Sequence, residues 1–274
     1  VDRVHVDLKG PPQTMLATLY AKALDADSAT PILGDRYAKE MVERIDYDWK
    51  KTAITARNAA SVTGRSVHFD TWARQFLAVH TSAVVLHVGC GLDSRYFRLR
   101  PGPDVEWYDI DYPEVADLCT QLYPVRDRYH VVPASVTDPT WLAEIPDERP
   151  TLMIGEGLTM YLSEQDGVAL LRRVVDRFPC GELQFDAFNR LGIKSQWMNT
   201  VVRRSGSTLL WGIDGPDDIL QAVPGTRLLS WMRWFESDTF ERLPLAHQVM
   251  GRVMSLVPAV ANMSQYHRYA FGPA

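Results

Sequence analysis

Apolar residues along the chain fall into two rhythms. Short runs rich in apolar and β-branched residues, at Ala83–Leu86, Val105–Ile110, Tyr129–Pro133, Thr151–Gly155 and Gly181–Asp186, predict buried strands. Between them lie helical patterns: Asp93 to Leu99, Tyr112-Pro113-Glu114 to about Leu122 with proline in the first turn, a short Thr140–Glu144 helix, and one from the N-cap Ser163 through Asp176. This alternation predicts βαβ units and a parallel sheet.

The flanks read differently. Residues 1–12 are polar, end in Gly10-Pro11-Pro12 and predict a mobile lead-in. Helical spacing follows over Thr14–Leu24, where Met15, Leu16, Leu19, Tyr20 and Ala23 share a face. After a turn at Pro31–Asp35 it resumes over Arg36–Ile45 and again over about Trp49–Val79, through Phe69, Trp72, Ala73, Phe76 and Leu77. Residues 1–80 are thus expected to form a helical cap, and 81–274 an α/β core. An insertion is expected at about 188–225, with a helical pattern over Ile193–Arg203 and a turn at Gly212–Pro216. Late strands at Thr226–Trp231 and Tyr266–Phe271, joined through a helix around Ala246–Leu256, complete seven strands.

The chemistry gathers where the first strand ends. Gly89 and Gly91 flank Cys90 directly after that strand, and Asp109 and Asp111 close the second. Glycines there let backbone approach a ligand, and a strand-end acid accepts from ribose hydroxyls, so the pattern describes a nucleoside site. A dinucleotide fingerprint needs a third glycine, and Ser94 stands in its place. This weakens a NAD-dependent oxidoreductase and favours S-adenosylmethionine, which has no pyrophosphate to seat on a helix N-terminus. Ligands of such sheets sit beyond the carboxyl ends of the strands, which gathers Gly89, Asp111, Ser135 and Glu156 on one rim.

Composition narrows the partners. The 274 residues carry 29 basic and 34 acidic side chains, net charge −5, with no basic run, which argues against nucleic acid. The scattered Cys90, Cys119 and Cys180 form no metal-binding or disulfide framework. No stretch approaches the roughly 20 apolar residues of a membrane span, and the first residues lack a secretory apolar run. The expectation is a soluble cytoplasmic protein without metal or membrane, whose oligomeric state is not readable.

Three stretches resemble the leucine carboxyl methyltransferase family, including its bacterial polyketide O-methyltransferase branch. Leu86–Leu99 is similar to the family's LGAG-L-D-T-R-x-x-R-L signature, Asp109–Pro113 to its E-V-D-x-P, and Ile154–Leu162 to its x-x-E-G-x-x-x-Y-L. Gly212-Ile213-Asp214 also matches a late family turn. The resemblance implies a class I S-adenosylmethionine-dependent methyltransferase fold, Rossmann-like, with helices on both faces of a mostly parallel seven-stranded sheet. It implies that Arg65 pairs with the cofactor's carboxylate, that Gly89, Cys90 and Gly91 pass under its methionine part, that Asp111 takes the ribose, and that Glu156 lies near the amino group. Where the family usually has Asp-Leu against adenine, this chain has Ser135-Val136, with Asp138 a nearby substitute. A family lysine aligns only loosely with Lys22, and no role is assigned to it.

The implied reaction is O-methylation of a small-molecule acceptor. An ionised carboxylate needs no general base, whereas a phenol gains from one. The shared signature holds one histidine, His87, on the first strand, which reads as a core residue. The pattern therefore favours a carboxylate on a polyketide-like aromatic or other apolar acid, over a phenol or hydroxyl; a cofactor-binding protein without catalysis is a further alternative. No catalytic residue is named. Tyr161, Trp197 with Met198, and Trp211 are the expected acceptor wall, while Trp231 and Trp234 read as core.

Overall fold

The computed structural model describes residues 3–6, 10–242 and 245–273. Seven strands form one sheet: β1 (Ala83–Val88), β2 (Val105–Asp111), β3 (Tyr129–Pro133), β4 (Thr151–Gly155), β5 (Gly181–Phe188), β6 (Thr226–Arg233) and β7 (Ser264–Phe271). Their spatial order is β3-β2-β1-β4-β5-β7-β6. The first five are mutually parallel, and only β7 runs against its neighbours. That reversal brings the start of β7 to the edge where the parallel strands end, with Ser264 opposite Phe188 and Tyr266 opposite Asp186.

Alternation along the strands separates two cores. Val84, Leu86, Val88 and Met153 pack with Leu170, Leu171 and Val174 of α6 (Glu164–Arg177). Val85, Leu152 and Ile154 point the other way, against Phe69, Trp72 and Phe76 of α3 (Ala56–Val79). A sheet covered on both faces explains why β1 and β4 are buried at every position. The start of α3 is set by a capping box between Thr55 and Asn58.

The amino-terminal helices close one end. Leu16 and Leu19 of α1 (Pro11–Ala26) pack with Met41 of α2 (Arg36–Arg44), with Phe97 of the short α4 (Arg95–Leu99), and with Leu118 and Leu122 of α5 (Pro113–Leu122). Part of the expected lead-in is ordered: Val4–His5 pairs with Ile45–Asp46, and Pro11 and Pro12 open α1, where their fixed φ suits the first helical turn. Residues 1–2 and 7–9 of that lead-in lie outside the described residues.

The second half departs from expectation in detail. Strand β5 runs on to Phe188, β6 to Arg233, and β7 begins at Ser264. The expected helix over Ile193–Arg203 is broken into Arg190–Lys194, Gln196–Met198 and Thr200–Ser205, because Asn189 and Asn199 each cap a new turn with their side-chain oxygens. Among the described residues no helix is long and apolar enough to cross a membrane.

Candidate functional site

A cavity of about 550 Å³ opens at the carboxyl edge of the sheet, between the strand ends and helices α1 and α3. At one end the loop after β1 forms its floor. Gly89 and Gly91 hold φ of +63° and +55°, and a Cβ on Gly89 would stand 2.9 Å from Leu158 Cδ1, so both backbone twist and close approach call for glycine. The loop is pinned from outside: Gly91 N donates to Asp111 Oδ2 at 2.7 Å, Cys119 Sγ to Gly91 O at 3.2 Å, and Tyr123 Oη to Leu92 O at 2.8 Å.

Asp111 ends β2 and also accepts from Tyr112 N at 2.8 Å. Burial raises its carboxyl above the ordinary range, against the two backbone donors that pull it down. Each carboxylate oxygen has a second lone pair for a hydroxyl. Ser135 and Val136 line the cavity beyond β3. Asp138 does not substitute for them: it is exposed and caps Thr140, accepting from its N at 2.9 Å.

Glu156, at the end of β4, sits in a dense buried ion network. It accepts from Ser66 Oγ at 2.7 Å, from Arg65 Nε at 3.1 Å and from Arg95 Nη2. Burial favours its neutral form, but Arg95, Lys22 and Arg65 outweigh it and hold the carboxyl well below the ordinary range. The second signature arginine, Arg98, reaches Asp35 at 2.8 Å and Asp70 at 2.9 Å. Arg95 also holds Asp70 at 2.8 Å and His87 Nε2 at 3.1 Å. The arginines of the signature therefore bind carboxylates of the chain itself, and fix Glu156 through them.

Arg65 reaches the cavity from α3, its guanidinium held at two corners by Glu156 and by Asp186, whose Oδ2 accepts from Nη1 at 2.8 Å. Burial opposes its charge, and Asp186 and Glu156 outweigh burial. Just before it, Gly64 has no room for a side chain, since a Cβ would lie 2.2 Å from Thr239 Cγ2. Lys22 lines the cavity as well, buried and paired with Asp93 at 3.0 Å. His87 is buried as expected of a core residue and also borders the cavity, its Nδ1 2.9 Å from Asp109.

The far end of the cavity is mostly apolar. Met160, Tyr161, Phe188, Val201, Val202, Trp234 and Tyr266 line it. Tyr161 stands where expected, and burial raises its phenol. Three expected wall residues do not. Trp211 is core, seated over Gly167 of α6, where a Cβ would lie 2.1 Å from Trp211 Cζ3; Trp197 points outward, 67% exposed, as does Met198. Trp234, read as core, borders the cavity instead. Asp186 and Tyr266 carried no sequence signal: register across β5 and β7 puts them side by side.

A family model for leucine carboxyl methyltransferases matches residues 13–175. The chain is 40% identical over 266 residues to the tetracenomycin polyketide synthesis O-methyltransferase TcmP of Streptomyces glaucescens, covering 97% of this chain and 98% of that protein. It is 32% identical to the S-adenosyl-L-methionine-dependent methyltransferase dpfgK of Gibberella zeae, over 83% of each. In fold it is similar to a structure from Thermobifida fusca assigned as a methyltransferase, with TM-score 0.60 at 15% identity over 92% of this chain and 94% of that one. It is also similar to the mycolic acid cyclopropane synthase CmaA1, with TM-score 0.50 at 12% identity over 96% and 98%. The chain belongs to the leucine carboxyl methyltransferase family and is an S-adenosylmethionine-dependent methyltransferase of the class I fold.

Proposed function

We propose that the protein transfers the methyl group of S-adenosylmethionine to a carboxylate oxygen of a small apolar acid, aromatic and of polyketide type. The observation that carries this reading is that, among the described residues lining the cavity, His87, Asp93 and Glu156 are already engaged as proton acceptors, while Asp111 is assigned to the ribose. His87 is held at both nitrogens, by Asp109 and Arg95; Asp93 is paired with Lys22, and Glu156 with two arginines. A carboxylate, with an ordinary pKa near ~4, arrives ionised and asks for no base, whereas a phenol near ~10 does.

The residues divide into two duties. Asp111 accepts from the ribose hydroxyls, the Gly89-Cys90-Gly91 backbone passes under the methionine arm, and Ser135 and Val136 face adenine. Arg65 takes the cofactor's carboxylate through its unpaired guanidinium edge, a geometry suited to a planar fork, and Glu156 takes the amino group. When bound, the cofactor supplies an activated sulfonium methyl. The remaining task is to hold the acceptor oxygen in line and exclude water. Tyr161, Tyr266 and Trp234 suit it, as flat walls that carry neutral hydrogen-bond donors. The apolar acceptor end and the polyketide role in the name of TcmP both support the acceptor class.

The test is the chemical stability of the product. Aromatic carboxylic acids and their matched phenols, incubated with radiolabelled S-adenosylmethionine, are expected to yield methyl esters that release methanol in mild alkali. The rate is expected to be flat from about pH 6 to 9, well above a carboxylate's own titration. Alkali-stable ethers as the only products, with a rate climbing toward ~10, would show a phenol acceptor and overturn the reading.

A further inference from the structure

We propose that Asp186 is a positioning residue for the cofactor: it aims the Arg65 guanidinium, so that the edge left free meets the carboxylate of the methionine arm. The inference rests on the assignment of Arg65 to that carboxylate.

Arginine reaches the cavity on a long stem whose rotamer freedom must be lost before a planar contact forms. Here two corners are tied. Nε donates to Glu156 Oε1 at 3.1 Å and Nη1 to Asp186 Oδ2 at 2.8 Å, which together fix the plane of the fork. Among the described residues Nη2 donates to no protein group, and it lies 3.2 Å from where a Cβ on Gly157 would stand. Removing Glu156 would disturb Arg95 and the network behind it. Among the described residues Asp186 pairs with no cation but Arg65, and so is the separable half of the clamp.

Asp186 is itself held so that both oxygens are committed. Gly157 N donates to Oδ1 at 2.6 Å while Oδ2 faces Arg65, and Thr159 Oγ1 donates to its main-chain oxygen at 2.5 Å. The side chain is 3% exposed, and the residue stands opposite Tyr266 on β7. An asparagine has nearly the same shape but one oxygen. Whichever way it turns, either Gly157 N–H or Arg65 loses its acceptor and meets an N–H instead. A bland alternative exists in the same contacts: Asp186 could simply staple the loop after β4. Leu158 of that loop packs over Gly89, so a loosened staple weakens every part of the cofactor cradle alike.

Two ligands separate these roles. S-Adenosylhomocysteine carries the amino-acid arm, and 5′-methylthioadenosine has the same nucleoside and sulfur without it. In calorimetric titrations, Asp186→Asn is expected to weaken S-adenosylhomocysteine about ten- to a hundredfold, the loss of a charged hydrogen bond. Binding of 5′-methylthioadenosine should stay within about twofold of wild type. Arg65→Lys should give the same selective loss, and Asp186→Asn added to it should cost little more, because both act through one contact. Asp186→Ser, whose hydroxyl can still accept from Gly157 N–H but no longer carries the charge that faces Arg65, should show the selective loss even where Asp186→Asn does not fold.

Equal weakening of both ligands by Asp186→Asn and Asp186→Ser, fully additive effects with Arg65→Lys, or unchanged S-adenosylhomocysteine binding would overturn the positioning role. If Arg65→Lys itself leaves S-adenosylhomocysteine untouched, the underlying assignment of Arg65 fails instead.

Discussion

The two ends of the cavity are built on opposite principles. At the proposed cofactor end Lys22, Arg65, Asp93 and Glu156 stand beside the glycine loop, and behind them Arg95, Arg98, Asp35, Asp70 and Asp186 complete a buried ionic network. At the proposed acceptor end the walls are Phe188, Val201, Val202 and Trp234, with Tyr266 standing between them and Arg65. A buried charge is costly unless each partner is in place, so the first end tolerates one arrangement. Apolar surfaces are non-directional, and the second end can be reshaped residue by residue. On the proposed assignment, cofactor recognition is separated from acceptor choice within one continuous space.

The largest test of that contrast is Arg95→Met. Arg95 is fully buried, and its loss leaves Asp70 and Glu156 short of a partner. Breaking such a network costs about 3–5 kcal/mol, a fall in melting temperature of roughly 6–20 °C. A thermal melt that barely moves would mean the ionic end is less interlocked than its geometry implies. Next in size, Asp111→Ala should raise the S-adenosylhomocysteine Kd about ten- to a hundredfold in a protein that still melts cooperatively. Unchanged affinity by calorimetry would sink the ribose assignment.

The smallest effects belong to the apolar end. Trp234→Ala is expected to raise the acceptor KM about tenfold while cofactor affinity stays within about twofold. Trp197→Ala, on the outer surface, should change neither by more than about twofold. Steady-state kinetics with both variants sharpen the separation. A cofactor Kd that moves with Trp234 would blur it.

The same contrast explains what could be read from the sequence. Glycines at φ +63° and +55°, a strand-end acid and the charged signature obey local rules, so the sheet and the cofactor end are visible in the order of residues. Even there one role was hidden. Arg95 and Arg98, three apart on a helical turn, carry no assigned role in the sequence reading and serve Asp70, Asp35 and Glu156. Asp186 gave no signal because its importance comes from register with Tyr266 and from an arginine far away in the chain. Trp211 was misplaced for a similar reason. The socket that buries it is a glycine on α6, and nothing near position 211 announces that partner.

The missing side chain at Gly64 has a consequence beyond packing. Thr239 rests against the turn of α3 that carries Arg65, and the segment leading to Thr239 begins with Trp234 of the acceptor wall. The contact leaves no slack for even one methyl group, so the helical turn that carries Arg65 and the stretch that starts at Trp234 are held at one fixed spacing.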